Sequence, residues 1–228
     1  MLPSLLPSIE FTADKSHTLR DRINGQTYHS LHGACAESQH VFIHSGLLYM
    51  RSYGVTSFSI FEVGFGTGLN ALLAFITSLE DPGMTIQYRA IEKNPLPEEI
   101  YSSLNYPKIL NQHGMEEAFL HMHSGKPQQE ICLADRFTLN KYNLDVLHYT
   151  GDIKHNLVFH DAFSPNIQPE LWSSAFFAKT ADMMMPDGVL VTYSAAGQVR
   201  RNLKDAGFEV EKIPGPPGKR EMTRAIKR

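Results

Sequence analysis

Apolar positions along the chain follow two periods. Short apolar runs at residues 58–63, 84–91, 144–149, 156–160, 189–193 and 208–213 have the length and the aromatic or β-branched content of buried strands. Between them, apolar residues recur three and four apart over 69–79, 169–184 and 196–206, and over a proline-punctuated stretch at 96–123, the spacing of helices with one face turned inward. Gly207 follows the last helix where a left-handed residue commonly ends one. Strands alternating with helices predict a mainly parallel, Rossmann-like α/β sheet covered on both faces, with ligands bound outside the carboxyl ends of its strands.

Before residue 57 the pattern is different. Asn24-Gly25 stands between segments 18–23 and 26–30 and predicts a two-residue hairpin, because both turn positions tolerate positive φ. A helix over 36–50 then leads into the core. The expected organisation is a small β-rich extension at 1–56 followed by one α/β domain at 57–228. A length of 228 residues suits one self-sufficient core plus an addition.

Composition narrows the class. Apolar content is 42%, and no uninterrupted apolar run approaches the ~18 residues of a membrane span. The start, Met1-Leu-Pro-Ser-Leu-Leu-Pro7, lacks the basic region of a signal peptide, so a soluble, cytoplasmic protein without membrane contact is expected. Cys35 and Cys132 match neither a metal spacing nor a disulfide framework, and the pairs His29/His32 and His121/His123 lack the further ligands a zinc site needs; no metal is expected. The net charge of −3 conceals an asymmetry, −8 over residues 1–194 against +5 over 195–228. The basic C-terminal end is either a solvated face or a nucleic-acid contact.

Candidate chemistry begins at Glu62-Val-Gly64-Phe-Gly66-Thr-Gly68, which joins the strand at 58–63 to the helix at 69–79. Glycines there let the backbone approach a ligand, and the free N–H groups of the helix start point at it. A dinucleotide fingerprint would place its third glycine where this chain has Leu69, which disfavours a nicotinamide cofactor. Acid-x-G-x-G-x-G is instead the opening loop of class I S-adenosylmethionine (AdoMet) methyltransferases. Three acids at strand ends complete the candidate site. Glu92 can accept both hydroxyls of a ribose. Asp152, after Gly151, suits an adenine amino group or a cap on the next turn. Asp161 borders the place of reaction, where it either takes a substrate's proton or only organises the Ser164-Pro165 turn.

These residues lie in a longer series of motifs. Glu62-Val-Gly-Phe-Gly-Thr-Gly-Leu-Asn70, Ile91-Glu-Lys93, Gly151-Asp152, Asp161-Ala-Phe-Ser-Pro165, Pro169-Glu-Leu-Trp172, Thr192-Tyr-Ser-Ala-Ala-Gly-Gln-Val-Arg-Arg201, Ala206-Gly-Phe208 and Gly218-Lys-Arg-Glu-Met222 together resemble the methyltransferase domain of the MnmC family, from about residue 10 onward. Two positions depart from that pattern: Lys15 where glycine is frequent, and Gln168 where asparagine is frequent. In bifunctional members an oxidase domain follows, whereas this chain stops just after Lys-Arg-Glu-Met; it is similar to the stand-alone MnmD type, with no oxidase domain.

The resemblance implies a class I AdoMet-dependent methyltransferase fold, tRNA as partner, a separate enzyme supplying an aminomethyl intermediate, and methylation of the amine of 5-aminomethyl(-2-thio)uridine at the wobble position. It implies AdoMet contacts from Glu62, Gly64, Phe65, Gly66, Thr67, Gly68, Asn70, Glu92, Lys93 and Asp152. Asp161 would be catalytic, Phe163, Trp172 or Tyr193 would stack on the base, and Arg200, Arg201, Lys219 and Arg220 would hold phosphates. The alternatives are a methyltransferase for a small amine or a protein, and a non-catalytic RNA-binding protein of the same fold.

Overall fold

A computed structural model describes residues 6–112 and 114–228. In chain order the elements are β1 (Ser8–Phe11), β2 (His17–Arg20), α1 (Ala34–Ser38), a π-helix (Gln39–Leu48), α2 (Tyr49–Ser52), β3 (Ser57–Val63), α3 (Leu69–Glu80), β4 (Thr85–Ile91), α4 (Glu98–Tyr101), α5 (Tyr106–Leu110) and α6 (Met115–Ser124). They continue with β5 (Glu130–Ala134), β6 (Phe137–Tyr142), β7 (His155–His160), α7 (Ser174–Asp182), β8 (Met184–Thr192), α8 (Gly197–Asp205), β9 (Phe208–Pro214) and β10 (Glu221–Lys227), with 3₁₀ turns at Val146–His148 and Pro169–Trp172. None of the helices among the described residues is long and apolar enough to cross a membrane.

The central sheet has the order β5-β6-β4-β3-β7-β8-β10-β9. Its five middle strands are parallel, while β5, β10 and β9 join antiparallel. From β3 the chain winds outward on one side through β4 and β6, then returns to β7 and β8 on the other. The order therefore reverses between β3 and β7, where a ligand crevice forms. Register carries Val63 opposite both Ile91 and His160, and Ile91 opposite Tyr142, so the carboxyl ends lie level.

Three expectations are corrected. Segment 144–149 is not a strand: β6 is the strand beside β4, paired back onto β5 in a hairpin, and the apolar run after it packs Val146 and Tyr149 as a 3₁₀ turn. The alternating burial of Phe137, Leu139 and Lys141 is the period of a strand with one covered face, here hidden by the polar residues between. The two-residue hairpin at Asn24-Gly25 is replaced by a wider bend, in which Asp21 Oδ1 accepts the N–H groups of Ile23 and Asn24, both at 2.8 Å. Such a carboxylate turn competes with the two-residue turn; the chain still returns antiparallel, with one bridge between Arg20 and Thr27 and the Tyr28 N–H donating to the Leu19 carbonyl at 2.8 Å, while β2 pairs along its length with β1. The predicted 36–50 helix runs on through 34–52 and is π-wound in the middle. Gly46 lets it rest on the sheet, since a Cβ there would lie 3.0 Å from Val191. Leu19, Ala34, Val41 and Phe42 share one buried cluster with Leu72, Leu157 and Val191.

Candidate active site

The level strand ends open into a cavity of about 760 Å³. Its floor is the glycine loop. Gly64 and Gly66 hold φ of +90° and +49°, and the Gly64 N–H donates to the Ile91 carbonyl at 3.0 Å. A Cβ on Gly64 would stand 3.0 Å from the Asp161 carbonyl oxygen, so a side chain there would crowd the chain leaving β7. Gly68, also at positive φ, starts α3; a Cβ there would meet His123 Nε2 at 2.8 Å.

At the end of β4, Glu92 Oε2 accepts the Gly66 N–H at 2.9 Å and Oε1 accepts that of Asn94 at 2.8 Å. The carboxylate is thus clamped to the loop with further lone pairs available to a ligand; burial raises its pKa above the usual carboxylate range. Lys93 turns to Asp145, 2.9 Å away. At the end of β7, Asp161 Oδ2 accepts from Asn70 Nδ2 at 2.8 Å, and the same amide nitrogen reaches Glu62 Oε1 at 2.9 Å. Burial, then the charge of Glu37, pushes the Asp161 pKa well up, against the opposing effects of the Asn70 hydrogen bond and Lys219. Glu62, fully buried, is likewise held well above its ordinary value by desolvation.

Gly64, Phe65, Gly66, Thr67, Asn70, Glu92, Lys93, Asp161, Phe163 and Lys219 all line the cavity. Others named from sequence do not. Glu62 lies beneath the loop and reaches the site only through Asn70. Gly68 sits behind the loop as the start of α3. Asp152 is exposed in the segment before β7 and stands outside the lining; Asp145, with Val146, takes the place after the third parallel strand, a consequence of β6 being that strand. Trp172, 2% exposed, donates its indole N–H to the Phe163 carbonyl at 2.8 Å and so supports the loop rather than offering a stacking face. Arg200 is paired with Glu221 at 3.1 Å and with the Ala195 carbonyl, while Arg201 and Arg220 are exposed away from the cavity.

Sequence reasoning also missed one wall. Tyr28, His29, Ser30 and Glu37, all before residue 57, line the cavity. Tyr28 approaches Gly66 and meets Phe163 edge-on at 5.0 Å between ring centres. The available signal was the polar and aromatic cluster Tyr28-His-Ser30 directly after the Asn24-Gly25 turn. Among the described residues no cluster of three or more His, Cys, Asp or Glu side chains is placed to hold a metal.

The family profile described as S-adenosyl-L-methionine-dependent methyltransferase matches residues 112–228. The tRNA 5-methylaminomethyl-2-thiouridine biosynthesis bifunctional protein MnmC of Azoarcus sp. (strain BH72) is 34% identical over 214 residues, covering 88% of this chain and 32% of that protein. The protein of the same name from Pseudomonas fluorescens is 30% identical, covering 98% of this chain and 35% of its own length. The chain thus spans about a third of the length of the curated relatives it matches. The crystal structure of MNMC2 from Aquifex aeolicus superposes with a TM-score of 0.78 at 28% identity, covering 98% of this chain and 71% of that one. The SAM-bound magnesium protoporphyrin IX methyltransferase of Synechocystis shares the fold, with a TM-score of 0.51. A profile that spans just over half of the chain, a structure superposing over nearly all of it, and a glycine loop set at the reversal of strand order agree: the chain belongs to the S-adenosyl-L-methionine-dependent methyltransferase family, and over most of its length it is similar to proteins named MnmC.

Proposed function

We propose that the protein methylates the exocyclic amine of 5-aminomethyl(-2-thio)uridine at the tRNA wobble position, giving the 5-methylaminomethyl nucleoside. The observation that carries this reading is Asp161: a carboxylate at the reversal of strand order, anchored by Asn70, opening into a cavity walled by Tyr28, Phe163 and Tyr193. The relatives named MnmC point to the same nucleoside.

The cavity suits AdoMet. Gly64 and Gly66 leave room for a ligand against the backbone, Glu92 offers a preset carboxylate for the ribose hydroxyls, and Asp145 with Val146 borders the remaining end for the adenine. When bound, AdoMet supplies an electrophilic methyl carbon on a positively charged sulfur. Asp161 receives the proton that the substrate ammonium must lose before its nitrogen can attack. Asn70 holds Oδ2, and Oδ1 has no partner among the described residues. Its raised pKa makes it a stronger base than an exposed aspartate. The aromatic residues exclude water and orient a flat ring, and in-line alignment supplies much of the acceleration.

Incubating the protein with methyl-labelled AdoMet and tRNA from a strain deleted for its gene tests this. Label in tRNA, recovered by nucleoside mass spectrometry as 5-methylaminomethyl(-2-thio)uridine, is the expected result. Label confined to a small amine or a protein overturns it. The substrate's aminomethyl group would come from a separate enzyme.

Two further outcomes follow from the geometry. Gly66→Val should abolish measurable AdoMet binding in calorimetry while the protein stays folded. Positive φ costs a non-glycine residue roughly 1–2 kcal/mol, and the branched side chain would press on Tyr28, whose ring lies 3.4 Å from the position of a Cβ. Normal affinity would remove the loop from the cofactor site. Arg201→Glu with Arg220→Glu should weaken tRNA binding and flatten its log–log salt dependence by roughly one per lost phosphate contact. Filter binding across salt concentrations checks this, and a wild-type slope would make that face merely solvated.

A further inference from the structure

The turn between β9 and β10 carries a lysine that the proton transfer above does not use. The turn is tight: the Lys219 N–H donates to the Pro216 carbonyl at 2.9 Å and the Gly215 N–H to the Arg220 carbonyl at 3.1 Å. Gly218, at φ +83°, is pressed onto the N-terminal segment, where a Cβ would lie only 2.1 Å from His32 Cδ2. Lys219 is therefore delivered to one place. Its Nζ lies 2.9 Å from Glu37 Oε1 and 4.2 Å from the centre of the Tyr193 ring. Glu37 is itself buried and held from the other side by the Ser30 N–H, 2.7 Å from Oε2. Lys219, Glu37 and Tyr193 line the same cavity as Asp161, whereas Arg201 and Arg220 do not.

An ammonium has three donors, and Glu37 takes one of them. We propose that Lys219 is a specificity-determining residue: it donates a hydrogen bond to the ring carbonyl oxygen beside the aminomethyl substituent of the pyrimidine, with Glu37 holding the ammonium in position. A cation at that place also opposes the protonated form of the neighbouring substrate amine, which is the form unable to attack. Lys219 thereby reads the base, and the phosphate-gripping role suggested by its place in a basic run falls to the exposed arginines.

The inference rests on the uridine reading, and one series of measurements separates the two. Wild-type protein is assayed first with AdoMet and tRNA carrying 5-aminomethyluridine; absence of label in tRNA defeats the uridine reading itself. With label present, Lys219→Met is combined with Glu37→Gln, so that no buried carboxylate is left without its partner. The expected result is a fall in kcat/KM for tRNA of roughly 10–100-fold, the size of a lost charge-assisted hydrogen bond. AdoMet affinity and the salt slope of tRNA binding should stay at their wild-type values. A slope reduced by about one marks a phosphate contact and overturns the proposal, as does an unchanged kcat/KM. Should the double variant fail to fold, Lys219→Arg decides: it keeps the charge a phosphate needs but replaces the point donor by a planar fork. A several-fold loss of kcat/KM at constant salt slope supports base reading, and wild-type kinetics overturn it.

Discussion

Asp161→Asn should slow methyl transfer by roughly 10²–10⁴-fold at neutral pH, the range for losing a general base, while AdoMet affinity is retained. The amide keeps the shape and an oxygen that can still accept from Asn70, but it takes no proton. Single-turnover rates should recover partly at alkaline pH, where solvent deprotonates the amine. In the wild type, the acid limb of kcat/KM should lie above the ordinary carboxylate range, because burial and Glu37 raise the Asp161 pKa in the free enzyme. Stability should move in the opposite direction. With the folded pKa raised, the folded protein retains a proton that the unfolded chain has released, so stability falls as pH climbs from the unfolded to the folded value. Removing that penalty should make Asp161→Asn melt a few degrees higher than wild type at neutral pH. A variant with wild-type rates would reduce Asp161 to a turn residue.

Glu92→Ala should weaken AdoMet binding at least ~10²-fold, with turnover at saturating cofactor changed far less. The carboxylate makes two backbone hydrogen bonds, to Gly66 and Asn94, and each charge-assisted bond is worth roughly 1.5–3 kcal/mol. Its loss both slackens the glycine loop and removes the ribose acceptor, and a contact made equally in ground and transition states acts on affinity rather than on turnover. Glu92→Gln, retaining one acceptor oxygen, should fall between. Calorimetry beside saturated kcat measures the split, and normal affinity with a large turnover loss would contradict this role.

How much of this was legible beforehand depends on the range of the interaction. The glycine loop, the strand before it and the helix after it are neighbours in sequence, so spacing alone identified them, and with them Gly64 and Gly66; strand-end position added the acids Glu92 and Asp161, and the family resemblance added Asn70. Asp145 was missed because recognising it requires knowing that the half-polar segment Phe137–Tyr142, rather than the more apolar run after it, pairs with β4. That choice is made by neighbouring strands. Trp172 and Arg200 were misjudged for a related reason: residue type suggests stacking and phosphate binding, but one side chain is buried beneath the Phe163 loop and the other is neutralised by Glu221. The wall formed by Tyr28, Ser30 and Glu37, and the contact that brings Lys219 to Glu37 from 182 positions away, exist only once the N-terminal segment docks on the sheet ends. The sequence by itself determined the βα loop, its cofactor class and the acids that face it, because those follow from local backbone geometry and strand-end position. Only the tertiary structure decided which polar groups share the cavity, because long-range packing sets which side chains are buried, which are paired and which are left facing a substrate.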